Sequence, residues 1–311
     1  MTSYRNVVLF VLLAAAWGSA FMAIKAGLAY FPPVLFAAIR YDVAGVLMLA
    51  YAAYATERWR PRTGDEWRLV LVGGALMIAG YHAFLFVGET ETTSAVAAIV
   101  VSLSPILTTG FARVLLPSER LTPVGIAGLL LGLVGVAILS LGKPHPGGLV
   151  TPGFVGKLLV LAAAVSFALG SVLTRRIDAD LPIETMEAWS MVLGALMMHA
   201  VSLARPAESL AAVEWTPEGI AALVYLSLVA SALGFLVYFD LLARLGPIEI
   251  NLVSYVAPVF AALSGWLFLD ERVTPATVVG FLVIFAGFCL VKRRALAREL
   301  PRLRAALSPG R

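Results

Sequence analysis

Two stretches decide how this chain must fold: ERLTPVGIAGLLLGLVG at residues 119–135 and ERVTPATVVGFLVIFAG at residues 271–287. Both read E-R-x-T-P-x4-G-x6-G, and they lie 152 residues apart. Upstream, Pro105 and Pro258 each fall in the middle of an apolar run, 153 residues apart. The run Leu13-Ala14-Ala15-Ala16 before Trp17 parallels Leu161-Ala162-Ala163-Ala164 before Phe167, and Lys25 falls opposite Arg175. A spacing held over so many positions marks an internal duplication.

The material around these motifs is too apolar for water. Of 311 residues, 60% are hydrophobic and 14% charged, and the mean hydropathy is +0.92. Soluble domains carry about 25% charge, and no soluble core buries so much apolar surface. Disorder and a disulfide scaffold are excluded as well, since Cys289 is the only cysteine and no low-complexity run occurs. A bilayer core of ~30 Å takes about 20 apolar helical residues per crossing. Nine runs free of Asp, Glu, Lys and Arg have that length: 6–24, 69–88, 92–112, 121–142, 158–174, 188–204, 219–239, 250–269 and 273–291. A tenth, 34–54, is interrupted only by Arg40 and Asp42. Continuous runs mean helices, because barrel strands alternate. The first run is too long for the apolar stretch of a signal peptide and reads as helix 1. The expected fold is all-α, an integral membrane protein of ten transmembrane helices.

Charge sets the expected orientation. With both termini cytoplasmic, 17 of the 23 Lys and Arg fall inside, seven of them in the tail from Lys292 to Arg311. Lys25, Arg40, Lys143, Lys157, Arg205 and Arg272 remain on the other side. Five helices per copy is an odd number, so the second copy enters the membrane inverted. The halves are residues 1–142 and 154–292, joined by a Gly- and Pro-rich loop at 143–153, with a basic tail at 293–311. Such a tail suits an anionic lipid surface. Nucleic acid is not implied, since no aromatic-interleaved basic patch exists. Inverted repeats are the mark of secondary transporters, whose solute site lies near the midplane.

The paired motifs, Trp-Gly-Ser-x-Phe from Trp17 to Phe21, and Arg40 in helix 2 make the chain resemble the EamA-type branch of the drug/metabolite transporter superfamily over about residues 6–292. That resemblance implies a ten-helix carrier with a cavity lined chiefly by helices 1, 3, 4, 6, 8 and 9, in a group that includes amino-acid and metabolite exporters. The small four-helix drug exporters of the superfamily use a buried glutamate in helix 1. Helix 1 of this chain has no acid.

Charged or titratable groups inside a span cost ~2.5–3.5 kcal/mol on insertion scales, so each is paired or functional. Arg40 either caps carbonyls or pairs with an acid near the outer end, or forms an electropositive element that attracts a carboxylate. Asp42 lies two residues on, and so on another face. His82, beside Tyr81, suits a proton-linked step or a satisfied core donor. His199 is peripheral and His145 lies in the joining loop. Three scattered histidines and one cysteine make no zinc site, and no metal or cofactor is expected.

Trp17 and Phe21 share a helix face. With Tyr81, Tyr238 and Tyr255 they line a cavity or simply pack. Pro105 and Pro258 remove helix hydrogen bonds and mark hinges. Ser102, Asn251 and Ser254 are the polar groups nearby. Gly125, Gly128, Gly132 and Gly135 form a small-residue face for close contact within the fold or between two copies. No metalloprotease, paired-aspartate or Ser/His motif supports an enzyme. The expected function is alternating-access export of amino acids, large neutral or aromatic ones favoured, across the inner membrane. Another metabolite or multidrug permease of the same fold is the alternative.

The topology is checked by labelling. In a Cys289→Ala background, Ala305→Cys reacts with an impermeant maleimide only after the cells are opened. Reaction on intact cells would invert the assignment.

Overall fold

A computed structural model describes residues 2–116, 123–140, 152–246, 250 and 252–307. Ten apolar helices account for nearly all of them: α1 (Thr2–Gly27), α2 (Pro33–Ala55), α3 (Gly64–Glu89), α4 (Ser94–Leu115), α5 (Pro123–Ser140), α6 (Pro152–Thr174), α7 (Ile183–Leu203), α8 (Pro217–Leu245), α9 (Val253–Leu269) and α10 (Pro275–Leu307). Seven are long enough to cross a membrane by themselves, and the apolar parts of α5, α9 and α10 are shorter. Beyond Val291, α10 continues as helix into the basic tail.

Local chemistry sets the ends. Thr63 and Glu66 form a reciprocal capping box at the start of α3, and Thr93 and Thr216 cap α4 and α8. Proline at the first turn of α2 and α8 removes an N–H that has no helical partner there. Gly246, at φ 86°, stops α8, and Asp270, at φ 54°, stops α9.

The helices pair mostly across the two halves of the sequence: α1 with α9 and α8, α2 with α7, α3 and α4 with α6, and α5 with α10. In lipid such contacts depend on shape, which small residues improve. A side-chain carbon on Gly128 would lie 2.7 Å from the Gly287 carbonyl oxygen, and one on Gly135 would lie 2.9 Å from that of Gly280. The small-residue face of α5 is therefore spent against α10, inside the fold. Of the two E-R-x-T-P motifs, the residues Glu119 to Thr122 lie outside the described set. Glu271 of the second copy accepts from the Ser94 N–H and Oγ at the start of α4, at 3.0 and 3.2 Å. That carboxylate ties the α9–α10 turn to a helix N-terminus with unpaired N–H groups.

One further feature recurs at the repeat distance and one does not. Helix α3 widens into π geometry over Gly73–Gly80, and α8 does so over Tyr225–Leu233. Helix α4 is interrupted at Ser102–Leu103, just before Pro105, whereas Pro258 sits inside an unbroken α9. Proline therefore marks a break in one copy and not in the other.

The α5–α10 contact predicts that Gly128→Leu destabilises the folded protein by about 1–3 kcal/mol, the usual cost of overpacking. Thermal unfolding in detergent measures this against Gly64→Ala, where an added carbon meets nothing within 4 Å.

Candidate functional site

The two π stretches position the polar centre of the molecule. In α8, the Gly234 N–H turns to the carbonyls of Val229 and Ser231. An α-helix would have given it to Ala230. The Ala230 carbonyl instead accepts the Trp17 indole N–H at 3.0 Å, and the absence of a side chain at Gly234 makes room for that ring. Tyr225, at the start of the stretch, meets the Ser19 hydroxyl at 2.6 Å. In α3, the Leu76 carbonyl accepts from Ser166 of α6 at 2.8 Å, and the Ile78 carbonyl accepts from His82 Nδ1 at 2.9 Å. π-Bulges concentrate at functional sites because they release backbone groups and re-aim side chains.

His82 is fixed by this bond. A carbonyl only accepts, so Nδ1 carries the proton and Nε2 accepts from the Tyr41 hydroxyl at 2.8 Å. Both nitrogens are taken, and His82 holds Tyr41 with no nitrogen left for a solute. Among the described residues, Arg40 neither caps a carbonyl nor pairs with an acid. Its Nε donates to Ser231 Oγ of α8 at 3.1 Å, and its guanidinium lies 5.1 Å from the centre of the Tyr41 ring. Buried to 6% exposure, it has no carboxylate within ion-pair distance among the described residues.

Aromatic rings complete the wall. Trp17 packs on Tyr238 at 5.4 Å and on Phe235 at 5.9 Å, while Tyr81 meets Phe167 of α6 at 5.5 Å. Glu187 of α7, 8% exposed, stands within electrostatic reach of Tyr41 and Tyr238 and takes no hydrogen bond or ion pair among the described residues. The arrangement therefore sets one cation and one carboxylate, both without an opposite charge, among aromatic faces contributed by α1, α2, α3, α6 and α8.

Trp17, Arg40, Tyr81, His82 and Tyr238 thus come together. Other expected residues do not join them. Phe21 is buried in the main apolar core. Ser102 Oγ donates to the Ile99 carbonyl at 2.6 Å. The Val101 carbonyl, which Pro105 cannot serve, is taken by Ser104 Oγ at 2.7 Å. Tyr255 turns away to stack on Phe288 of α10 at 4.1 Å. Asp42 bonds His199 at 2.7 Å on a partly exposed face between α2 and α7. Ser254 is half-buried in the first turn of α9, and Asn251 and His145 lie outside the described residues. Sequence reasoning missed Glu187, Tyr41, Ser231 and Tyr225. The available signal for Glu187 was an acid directly before an apolar run.

Comparison with known proteins then decides the family. The chain matches the EamA-like transporter family over residues 5–141 and 154–293. It belongs to that family. The transporter YvbV of Bacillus subtilis is 28% identical over 95% of this chain and 94% of its own length. A protein of Streptantibioticus cattleyicolor described as a "probable terminal-alkyne amino-acid exporter" is 30% identical over 97% and 96%. The inner membrane transporter YedA of Escherichia coli is 29% identical over 80% and 78%. A solved crystal structure superposes with a TM-score of 0.65 at 25% identity, over 96% of this chain and 99% of its own. This EamA protein is accordingly a multi-pass membrane transporter.

The Tyr41–His82 bond is measurable as a coupling. Tyr41→Phe and His82→Phe each leave a buried polar atom unpaired, at about 1–3 kcal/mol. The double variant costs less than the sum, by about 0.5–3 kcal/mol in a thermal-unfolding cycle. Strict additivity would show that the two side chains act independently.

Proposed function

We propose that this EamA protein is a secondary transporter of the inner membrane, both termini cytoplasmic, which exports amino acids by alternating access and favours large neutral or aromatic ones. The observation that carries this reading is the pair of buried, unpaired charges of opposite sign, Arg40 and Glu187, set among Trp17, Tyr81, Tyr238 and Phe167. A zwitterion satisfies both at once. Its carboxylate takes the guanidinium fork that Ser231 orients, its ammonium takes Glu187, and an apolar side chain covers the rings. A buried charge left without a partner is costly, so the empty site is disfavoured relative to the loaded one. The name of the S. cattleyicolor relative supports the same solute class.

The ends of the bundle supply the gates. At one end Lys25 donates to the carbonyls of Glu89 and Thr90 at 2.7 and 3.0 Å, Glu208 accepts from the N–H groups of Val34 and Leu35, and Glu271 holds Ser94. At the other, Arg58 joins Glu66 and Asp180, and Trp189 Nε1 donates to the Trp59 carbonyl at 2.9 Å. In this scheme the two sets break alternately, with α4 bending at its interruption before Pro105 and α9 at Pro258. A multidrug permease is the second reading: a cationic drug satisfies Glu187 and leaves Arg40 without a partner.

Counterflow into proteoliposomes separates these readings. Labelled phenylalanine and leucine exchange saturably in the wild type. Arg40→Gln and Glu187→Gln each raise the half-saturating concentration at least about tenfold, equivalent to 1.4 kcal/mol. Arg40→Lys recovers only part, since an ammonium lacks the bidentate fork. Exchange of a quaternary ammonium drug alone would replace the amino-acid assignment and leave the carrier in place.

A further inference from the structure

Glu89 ends α3 and is 0% exposed, yet neither of its carboxylate oxygens has a hydrogen-bond partner among the described residues. Nothing in the solute site uses it. Its surroundings are specific. From α1, Lys25 approaches closely but spends its ammonium on the carbonyls of Glu89 and Thr90, where a cation also complements a helix C-terminus. From α2, Arg40 lies within electrostatic reach. From the α9–α10 turn comes Glu271, itself committed to Ser94 at the start of α4. From α6, Gly153, Gly156 and Val160 lie against Gly88 and Glu91 of this turn and carry no charge.

A buried bare carboxylate with no protein donor is a costly state, and the neutral acid avoids most of that cost. A metal ion is disfavoured, because the Lys25 ammonium already occupies the carbonyl pair that would ligate it.

We propose that Glu89 is a proton-binding site that couples transport to proton counter-movement. In the conformation seen, the carboxyl carries a proton in a sealed position. When α1 parts from the α3–α4 turn, water on that side reaches Glu89 and supplies this proton. After that end closes and the opposite end opens, the proton passes through the solute pathway to water on the opposite side, and the Lys25 ammonium leaves the two carbonyls to pair with the carboxylate. At the next opening of the first end the carboxylate takes a proton from water there, and Lys25 goes back to its carbonyls. One proton crosses per zwitterion moved in the opposite direction, so each cycle transfers one net positive charge. The solute in this scheme rests on the amino-acid reading above, whereas the proton site does not.

Two measurements test the proposal separately from that reading. Infrared difference spectra of reconstituted protein, titrated in pH without solute, show a carboxylic-acid C=O band that is lost in Glu89→Gln and kept, shifted, in Glu89→Asp. An unchanged band in Glu89→Gln would overturn the proton site whatever the solute proves to be. In proteoliposomes with an acidic lumen, the wild type accumulates labelled phenylalanine above the outside concentration. Glu89→Gln abolishes this accumulation but retains counterflow, and Glu89→Asp restores part of it. Accumulation that persists in Glu89→Gln, or wild-type counterflow that a pH gradient cannot drive uphill, would overturn the coupling and leave the transport reading standing. Absence of all amino-acid counterflow would instead remove the solute reading, with the infrared band still deciding the fate of Glu89.

Discussion

In a bilayer, a backbone carbonyl released from its helix must find a donor inside the protein, because lipid supplies none. Much of this structure follows from that demand. The π stretch of α8 frees the Ala230 carbonyl, and Trp17 takes it. In α3, the carbonyls of Leu76 and Ile78 share the Tyr81 N–H and take second donors from Ser166 and His82. At the interruption of α4, those of Ile99 and Val101 are taken by Ser102 and Ser104. Each repair pins a side chain at a fixed place. Helix irregularity thereby becomes site geometry: the bond that satisfies Ile78 orients His82, which orients Tyr41, over whose ring Arg40 lies.

The same demand falls on charge and sorts the ionisable groups into two kinds. Glu208, Glu271 and Glu66 are satisfied by backbone N–H groups at helix starts. They hold the ends of the bundle together and are structural in the conformation seen. Arg40, Glu187 and Glu89 are buried without a counter-charge in contact among the described residues. A protein that keeps such groups in an apolar interior meets a standing cost unless a ligand, a proton or a second conformation relieves it. In the cycle proposed above, the three are a zwitterion between Arg40 and Glu187, a proton on Glu89, and the alternation of the two ends.

The limits of sequence reading are visible in particular residues. Both unpaired carboxylates escape a reading that delimits spans by charge: the run at 69–88 stops at Gly88 and the run at 188–204 begins at Ala188. The helices instead run on to Glu89 and back to Ile183, which brings Glu89 and Glu187 within them as buried acids. Ser102 and Tyr255 were visible as polar groups of the right helices, but rotation about the helix axis sent one to its own backbone and the other to α10. His82 and Arg40 were legible as costly intramembrane residues. Their partners, Tyr41 and Ser231, are ordinary residues that no composition or spacing distinguishes.

The sequence by itself determined the number of helices, the membrane as solvent, the duplication and the motifs that place the chain in its family. These are one-dimensional quantities: run length against bilayer thickness, charge against position, and recurrence at a fixed offset. Only the tertiary structure decided which polar groups are satisfied and which are not. A π turn shifts every later side chain around the axis. Whether Glu89 or Glu187 lacks a partner depends on what every neighbouring helix presents at that depth, and that is a property of packing in three dimensions.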